Sequence, residues 1–200
     1  MPTPHGPEMS LSCVSVDRIR RHEPDPCWFV QPPDGIHGVA HEARVLVWTQ
    51  VLADMTRDEG LSADPVVLGW AAAIHDTQRW DDGDDPDHGS RAERWLLDRP
   101  DLLPASVPID RVAYLCRWHV PLDGLARQMT PELCVFKDAD ALDRWRIGDL
   151  DPSRLRTKSA QYLLPASYTL WKETQDVSDS DQVFSTVQRV AVKLGILTTR

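Results

Sequence analysis

The feature that most constrains the fold of this chain is an apolar run at residues 66–79, VVLGWAAAIHDTQR, which ends in His75 and Asp76. A helix that is apolar on nearly every face must lie at the centre of the structure. Burying an imidazole and an ionised carboxylate at its end is costly unless something compensates them, and a bound cation would do so. A His-Asp pair can equally be a helix cap or a surface pair, so the dipeptide alone leaves both readings open.

The rest of the chain repeats helical patterns. In HEARVLVWTQVLADM at 41–55, apolar residues recur every three or four positions, and Gly60 follows as a stop. Further helices are predicted at 66–75, 88–98, 109–119, 130–148, 166–174 and 181–194. No segment alternates convincingly with period two, so the sequence predicts an all-α fold.

The chain is predicted to have one domain preceded by an arm. Residues 1–35 hold seven of the sixteen prolines and little periodicity, which predicts an extended N-terminal arm. Residues 36–200 are expected to form the domain, with its motif-bearing core at 37–148 and extra C-terminal helices at 149–200. Neither the arm nor the C-terminal helices carry a motif that indicates a function.

The amino-acid composition limits the kinds of partner that this protein can bind. A net charge of −9 argues against nucleic acid polymers and anionic membranes, and no apolar run is long enough to span a bilayer. The four cysteines form no C-x-x-C pair and no secretory signal is visible, so we expect reduced thiols in a cytoplasmic protein. A small-molecule ligand is favoured, and a homodimer is left open.

The histidines are clustered along the chain. Five of the seven lie between residues 37 and 119, mostly at predicted helix ends: His37, His41, His75, His88 and His119. Asp138 and Asp140 lie in the helix predicted at 130–148. Side chains at the ends of separate helices can converge on one cavity, so this clustering predicts a shared site.

Four of these residues resemble a known pattern. His41 in HEARV, His75-Asp76 in AAAIHD and Asp140 in KDADALDRWR are similar, in order and local context, to the H…HD…D motif of the HD-domain superfamily of metal-dependent phosphohydrolases. The K-x-A-D-x-L-x-x-x-R string resembles the corresponding helix of the guanosine-tetraphosphate hydrolase branch, which marks Asp140 rather than Asp138. The segment HDTQRWDDGDDPDHGSRAE resembles a less characterised bacterial branch with HD-x-x-R and D-x-x-HG-x-R-A motifs.

This resemblance covers residues 37–148 and implies an HD-domain helical bundle with a metal site. The implied ligands are His41, His75, Asp76 and Asp140, a nitrogen and oxygen set that suits Mn, Fe, Zn, Co or Ni. In branches with two metals, extra histidines occupy the intervals of His88 and His119, and the aspartate of the HD pair bridges the ions. One or two divalent ions therefore remain open, since these two histidines could instead contact substrate phosphate or act as acid and base.

The implied activity is hydrolysis of a phosphomonoester or phosphoanhydride bond in a small metabolite, with a nucleotide among the candidates. We expect Asp76 to hold the metal that activates water, Arg79 and Lys137 to neutralise phosphate charge, and His119 or His88 to protonate the leaving oxygen. Arg44, Arg91 and His37 are further candidates for substrate binding. Arg44, Arg79 and Arg91 each follow a proposed site residue by one helical turn.

Two other functions remain open from the sequence. Some HD-fold proteins resemble inositol oxygenase, in which a di-iron pair activates dioxygen, and the histidines here could hold such a pair. A non-catalytic sensor that binds a nucleotide is the other alternative, although it would have no need to keep every metal ligand.

Overall fold

The computed structural model describes residues 14–177 and 180–199 of the chain. Within these ranges the protein is built from α-helices and short 3-10 turns, with no β-strand, which confirms the predicted all-α fold. One isolated bridge pairs Ser15 with Thr198. None of the helices in the described ranges combines the length and apolar character needed to cross a membrane.

Eight α-helices follow one another along the described residues. They are α1 (Val16–Arg20), α2 (Val39–Met55), α3 (Pro65–Ile74), α4 (His88–Leu97), α5 (Ile109–Trp118), α6 (Pro131–Leu142), α7 (Lys158–Thr174) and α8 (Ser180–Lys193).

Helix boundaries follow from local chemistry. Asp64 caps α3 by accepting a hydrogen bond from the backbone N–H of Val66, and Pro65 occupies the first turn, where no N–H is needed. The segments after α2 and α6 tighten into 3-10 turns that end at Gly60 and Gly148, with φ of 78° and 71°. Such left-handed positions favour glycine, and these are the stops that the sequence predicted.

The apolar helix α3 lies inside the bundle, between α2 and α5, while α4 packs on α5. Residues on several faces of α3 are fully buried, including Val67, Leu68, Ala71 and Ala72. This packing carries the C-terminal end of α3 into the interior, as the apolar run predicts. His75 and Asp76, which follow that end, are buried with it.

A close approach fixes α4 against α5. A Cβ atom at Gly89 would lie 2.5 Å from the carbonyl oxygen of Cys116 and 3.0 Å from that of Arg117. Only a residue without a side chain lets these two backbones meet. The contact lies one residue after His88 and a few residues before His119, so it sets the spacing of those two histidines.

Helix α7 is longer than the sequence predicted. It begins at Lys158, eight residues before the expected start at Ala166, and contains Pro165. Pro165 leaves the carbonyl of Gln161 without its helical donor. Both residues are exposed, so water can satisfy that carbonyl and the helix continues.

The two ends of the described chain meet. The backbone N–H of Val16 donates to Thr198 O at 2.9 Å, and the N–H of Thr198 donates to Val14 O at 2.8 Å. Val14 and Ile19 are fully buried, so residues 14–20 of the predicted arm pack onto the bundle. Residues 1–13 of that arm, residues 178–179 before the predicted last helix, and residue 200 lie outside the described residues.

Candidate metal centre

Four imidazoles from four helices meet at the buried end of α3. His41 lies in the first turn of α2, His75 and His119 directly follow α3 and α5, and His88 is the first residue of α4. Their Nε2 atoms meet in pairs, His41 with His75 at 3.2 Å and His88 with His119 at 2.9 Å. All four side chains are at least nine-tenths buried.

The other nitrogen of each ring faces outward toward an acceptor. His41 Nδ1 lies 2.8 Å from Asp143 Oδ2, His75 Nδ1 lies 3.1 Å from Ala72 O, and His119 Nδ1 lies 2.6 Å from Cys116 O. His88 Nδ1 likewise faces the carbonyl oxygen of Asp85. Acceptors at Nδ1 favour the tautomer with hydrogen there, which turns the Nε2 lone pairs inward. Such an arrangement is typical of metal-binding histidines.

Asp76 lies between the two pairs of rings. Its Oδ2 is 2.8 Å from His37 Nδ1 and 3.5 Å from His41 Nε2, while its Oδ1 is 2.9 Å from His88 Nε2 and 3.5 Å from His119 Nε2. Oδ1 is buried and makes no hydrogen bond to any residue in the described ranges. A buried carboxylate oxygen without a donor is costly, whereas a cation would satisfy it.

Asp140 completes the set from α6, with Oδ1 3.5 Å from His41 Nε2. Three groups offer ligand atoms that all lie within 4.8 Å of one another: His41 with His75 and Asp140, His75 with Asp76 and His119, and His37 with His41 and Asp76. These buried groups could hold a metal ion. His37, a candidate for substrate binding, lies against Asp76 and could also be a ligand; its contact with substrate stays a prediction.

The electrostatics of the centre call for a positive charge. Burial disfavours a charged His75, but attraction from Glu42 and then Asp76 outweighs burial and raises its pKa to about 10. In the absence of a metal, a proton would therefore sit on His75 near neutral pH. Burial, together with the charges of His75 and His88, lowers the pKa of His119 to about 4, so this ring is neutral.

The acids remain ionised despite their burial. Attraction from His75 and the hydrogen bond with His37 hold the pKa of Asp76 well below its usual value against the desolvation that would raise it. The pKa of Asp140 is also lowered, by the charges of His41 and His75. Two ionised carboxylates at one buried centre can be compensated by a proton, as on His75, or by a metal ion.

Two further carboxylates hold the histidines, and neither was picked out from the sequence. Asp143 accepts hydrogen bonds from His41 Nδ1 and from Arg44 Nε, the latter at 2.5 Å. Glu42 Oε2 lies 2.9 Å from His75 Nδ1, and Oε1 accepts the backbone N–H of Asp76 at 3.3 Å. The sequence could have indicated these two residues only by their position next to proposed ligands, since Glu42 follows His41 and Asp143 lies one turn after Asp140.

The predicted substrate-binding arginines have partners in the protein. Arg44 is buried against Asp143, and Arg91 pairs with Asp85 and stacks 4.0 Å over the ring of Trp80. Arg79 donates to Gly83 O at 2.7 Å and lies 3.0 Å from His88 Nδ1. The contacts of Arg79 and Arg91 fix the loop at 81–87 and the start of α4, and phosphate binding by the three arginines stays a prediction.

A cavity of about 250 Å³ opens beside the centre. It is lined by His119 and Lys137, by the carboxylates of Asp140, Asp149 and Asp151, and by Arg144, Arg154 and Arg156; the phosphate contact expected of Lys137 stays a prediction. Arg154 and Arg156 lie in a segment without helical periodicity, so the sequence pattern does not predict that they reach this cavity. A larger cavity, of about 450 Å³ between α3, α5 and the start of α6, contains none of the clustered histidines and aspartates.

Asp138 has a structural role. It is fully buried, and its carboxylate accepts the backbone N–H groups of Arg156 and Thr157 at 2.9 and 2.8 Å. It thereby anchors the segment before α7 and does not contact the histidines. This supports the choice of Asp140 over Asp138 as the residue of α6 that faces the centre.

Comparisons of the chain with protein-family models, with curated proteins and with solved structures found no match.

Proposed function

We propose that this protein is a metal-dependent phosphohydrolase of the HD-domain superfamily, which cleaves a phosphomonoester or phosphoanhydride bond in a small phosphorylated metabolite. One observation carries the proposal: the inward-facing Nε2 atoms of four histidines surround a buried Asp76 oxygen that has no hydrogen bond from the described residues. The cavity beside this centre has four cationic side chains against three carboxylates, which supports an anionic substrate.

His41, His75, Asp76 and Asp140 would hold one ion, and His88 and His119 with Asp76 a second. The two oxygens of Asp76 face different histidines, which favours two ions over one. The nitrogen and oxygen donors suit Mn, Fe, Zn, Co or Ni. When bound, such ions lower the pKa of water toward roughly 7 and neutralise phosphate charge.

The cavity residues bind and orient the phosphate. Lys137 and Arg144 line the cavity with Asp140 and His119, so they can face phosphate oxygens beside the ligands. Hydrolysis consumes one water molecule. The water oxygen joins phosphorus, the bond from phosphorus to the leaving oxygen breaks, and the leaving oxygen takes up a proton.

Lys137, which lines the cavity with His119 and Asp140, is one candidate donor of that proton. Its Nζ contacts Trp118 O at 3.1 Å, Pro121 O and Asp123 Oδ1 at 3.1 Å, so it would exchange one of these partners for the leaving oxygen; burial lowers its pKa below that of an ordinary lysine. A lower pKa makes proton transfer to a leaving alkoxide easier. His88 and His119, the donors expected from the sequence, turn their Nε2 atoms toward Asp76, and their part in proton transfer stays a prediction.

The test is a phosphatase screen with purified protein supplied in turn with each candidate divalent ion. We expect turnover of at least one phosphorylated metabolite, and its loss in Asp76→Ala with the helical circular dichroism retained. Arg94→Ala serves as a control because Arg94 is exposed on α4 and lines none of the site. Full activity of metal-free Asp76→Ala would refute the proposal.

A di-iron oxygenase is the second candidate, because the two sets of histidines sharing Asp76 would also suit a pair of iron ions. It predicts substrate-dependent oxygen uptake by the iron-loaded protein, and the phosphohydrolase predicts release of inorganic phosphate. A nucleotide-binding sensor without activity is favoured only if the protein binds nucleotide and turns over nothing with any divalent ion.

A further inference from the structure

The cations around the cavity differ in their partners. Lys137 and Arg156 both pair with Asp123, at 3.1 and 2.6 Å, and Arg144 pairs with Asp149. Arg154 makes no side-chain hydrogen bond or ion pair to any residue in the described part of the chain, although the carboxylate of Asp151, which also lines the cavity, attracts it at longer range. Because its three neighbours pair directly with carboxylates, Arg154 is the cation of this wall that meets the least direct competition for an anionic ligand.

The backbone of Arg154 is held in place although its side chain is exposed. It ends a 3-10 helix, Pro152–Arg154, that Asp151 caps by accepting the N–H of Ser153 at 2.9 Å. Arg156 Nη1 donates to the carbonyl oxygen of Arg154 at 3.2 Å. The next residues are anchored by buried Asp138, so the guanidinium is carried on a fixed base at the cavity wall.

The cavity is small. Its volume of about 250 Å³ is below the roughly 300–1,000 Å³ typical of pockets for drug-sized ligands. A compact metabolite whose reacting phosphate lies near Asp140 and His119 would leave its other end within the same cavity as Arg154. The group that guanidinium binds best there is a carboxylate or a phosphate.

We infer that the substrate carries a second anionic group, a carboxylate or a phosphate, besides the phosphate that is cleaved, and that Arg154 binds this group. The inference rests on the proposed phosphohydrolase function and assigns the class of its substrate. Arg154 is then a specificity-determining residue. It discriminates between substrates by their distal charge and takes no part in breaking the bond.

The test compares substrates that differ only in the second charge. Glycerol 3-phosphate and 3-phosphoglycerate form one such pair, since a carboxylate replaces a hydroxymethyl group. Phenyl phosphate and 4-carboxyphenyl phosphate form a second pair with a rigid spacer. For metal-loaded full-length protein we expect kcat/KM to be about tenfold higher for the carboxylated member of at least one pair, which is the size of effect expected from one charge-assisted hydrogen bond.

The variants assign this preference to one side chain. Arg154→Ala should bring the two members of that pair to near parity, chiefly by raising KM for the carboxylated substrate, and Arg154→Lys should restore part of the preference. Arg94→Ala, an exposed arginine outside the cavity, should keep the full preference.

The outcomes separate the inference from the function. Equal kcat/KM within both pairs in the wild type, or a preference that survives Arg154→Ala, would refute the inference that Arg154 binds a second anionic group. Release of phosphate in the same assays would still support the phosphohydrolase function. Absence of phosphate release from all four compounds and from the wider metabolite screen, with every divalent ion, would overturn both.

Discussion

Replacing Glu42 by glutamine tests how the centre is held together. Glu42 is fully buried, and its two oxygens serve two neighbours: Oε1 accepts the N–H of Asp76 at 3.3 Å, and Oε2 lies 2.9 Å from His75 Nδ1. The hydrogen on Nδ1 points at Ala72 O, so Oε2 acts on His75 mainly through its charge. Glutamine has the same shape, one acceptor oxygen and no charge.

The substitution has two effects on the centre. In one orientation the amide NH₂ group faces the N–H of Asp76, so that donor meets donor; in the other it lies against His75 Nδ1, whose hydrogen points at Ala72 O. Removal of the charge also takes away the largest attraction that raises the pKa of His75. Loss of a carboxylate behind a metal-binding histidine typically costs 10- to 100-fold in metal affinity, or roughly 1.4–2.7 kcal/mol.

The assay is competition of the metal-loaded protein with a chromophoric chelator, together with the thermal midpoint of the metal-free protein. We expect Glu42→Gln to weaken metal binding 10- to 100-fold while the metal-free protein still folds. Glu132→Gln is the matched control, since Glu132 makes an ion pair with Arg111 on the surface and lies away from the histidines. Unchanged metal affinity in Glu42→Gln would refute the role assigned to this carboxylate.

Three further predictions follow from the same geometry. The pKa of His75 is raised above 6.5, so metal binding below about pH 10 must displace its proton. Metal affinity should therefore rise about tenfold per pH unit near neutrality, and calorimetry in buffers of different ionisation enthalpy should detect the release of about one proton. Metal binding that does not depend on pH would contradict this. Asp143→Ala leaves buried Arg44 without its carboxylate and should lower the free energy of unfolding of metal-free protein by about 3–5 kcal/mol in urea titrations; a loss below 1 kcal/mol would count against the pairing. Gly89→Ala places a Cβ 2.5 Å from Cys116 O and should push apart the helices that set the spacing of His88 and His119. Elemental analysis should then find less metal per chain, and full occupancy would contradict the role of this contact.

Much of the fold could be predicted because helical periodicity and helix caps are local. Thr130 with Pro131, and Gly60, act within one turn of the chain and bound their helical segments as expected, and Asp64 with Pro65 acts in the same way at the start of α3. The start of α7 could not be placed in this way. Whether a proline ends a helix depends on whether water reaches the carbonyl that it leaves unpaired, and burial is not a local property.

The same distinction explains what could be predicted at the site. His41, His75, Asp76 and Asp140 were identified by residue type and order, and the fold brings them together. Asp143 and Glu42 are ordinary acids on helices until tertiary packing aims them at imidazoles. Arg154 reaches the cavity through a segment whose position depends on Asp138, a contact that no periodicity encodes.

The centre draws its side chains from five helices or their ends, α2 through α6, and this has a consequence for the motions of the bundle. No pair of neighbouring helices carries a complete set of ligands, so a bound ion is released only when at least one helix end opens. The dissociation rate of a tightly bound metal would therefore measure how often the bundle opens. Compared with amide hydrogen exchange at His75 and His119, that rate would identify which helix end opens first.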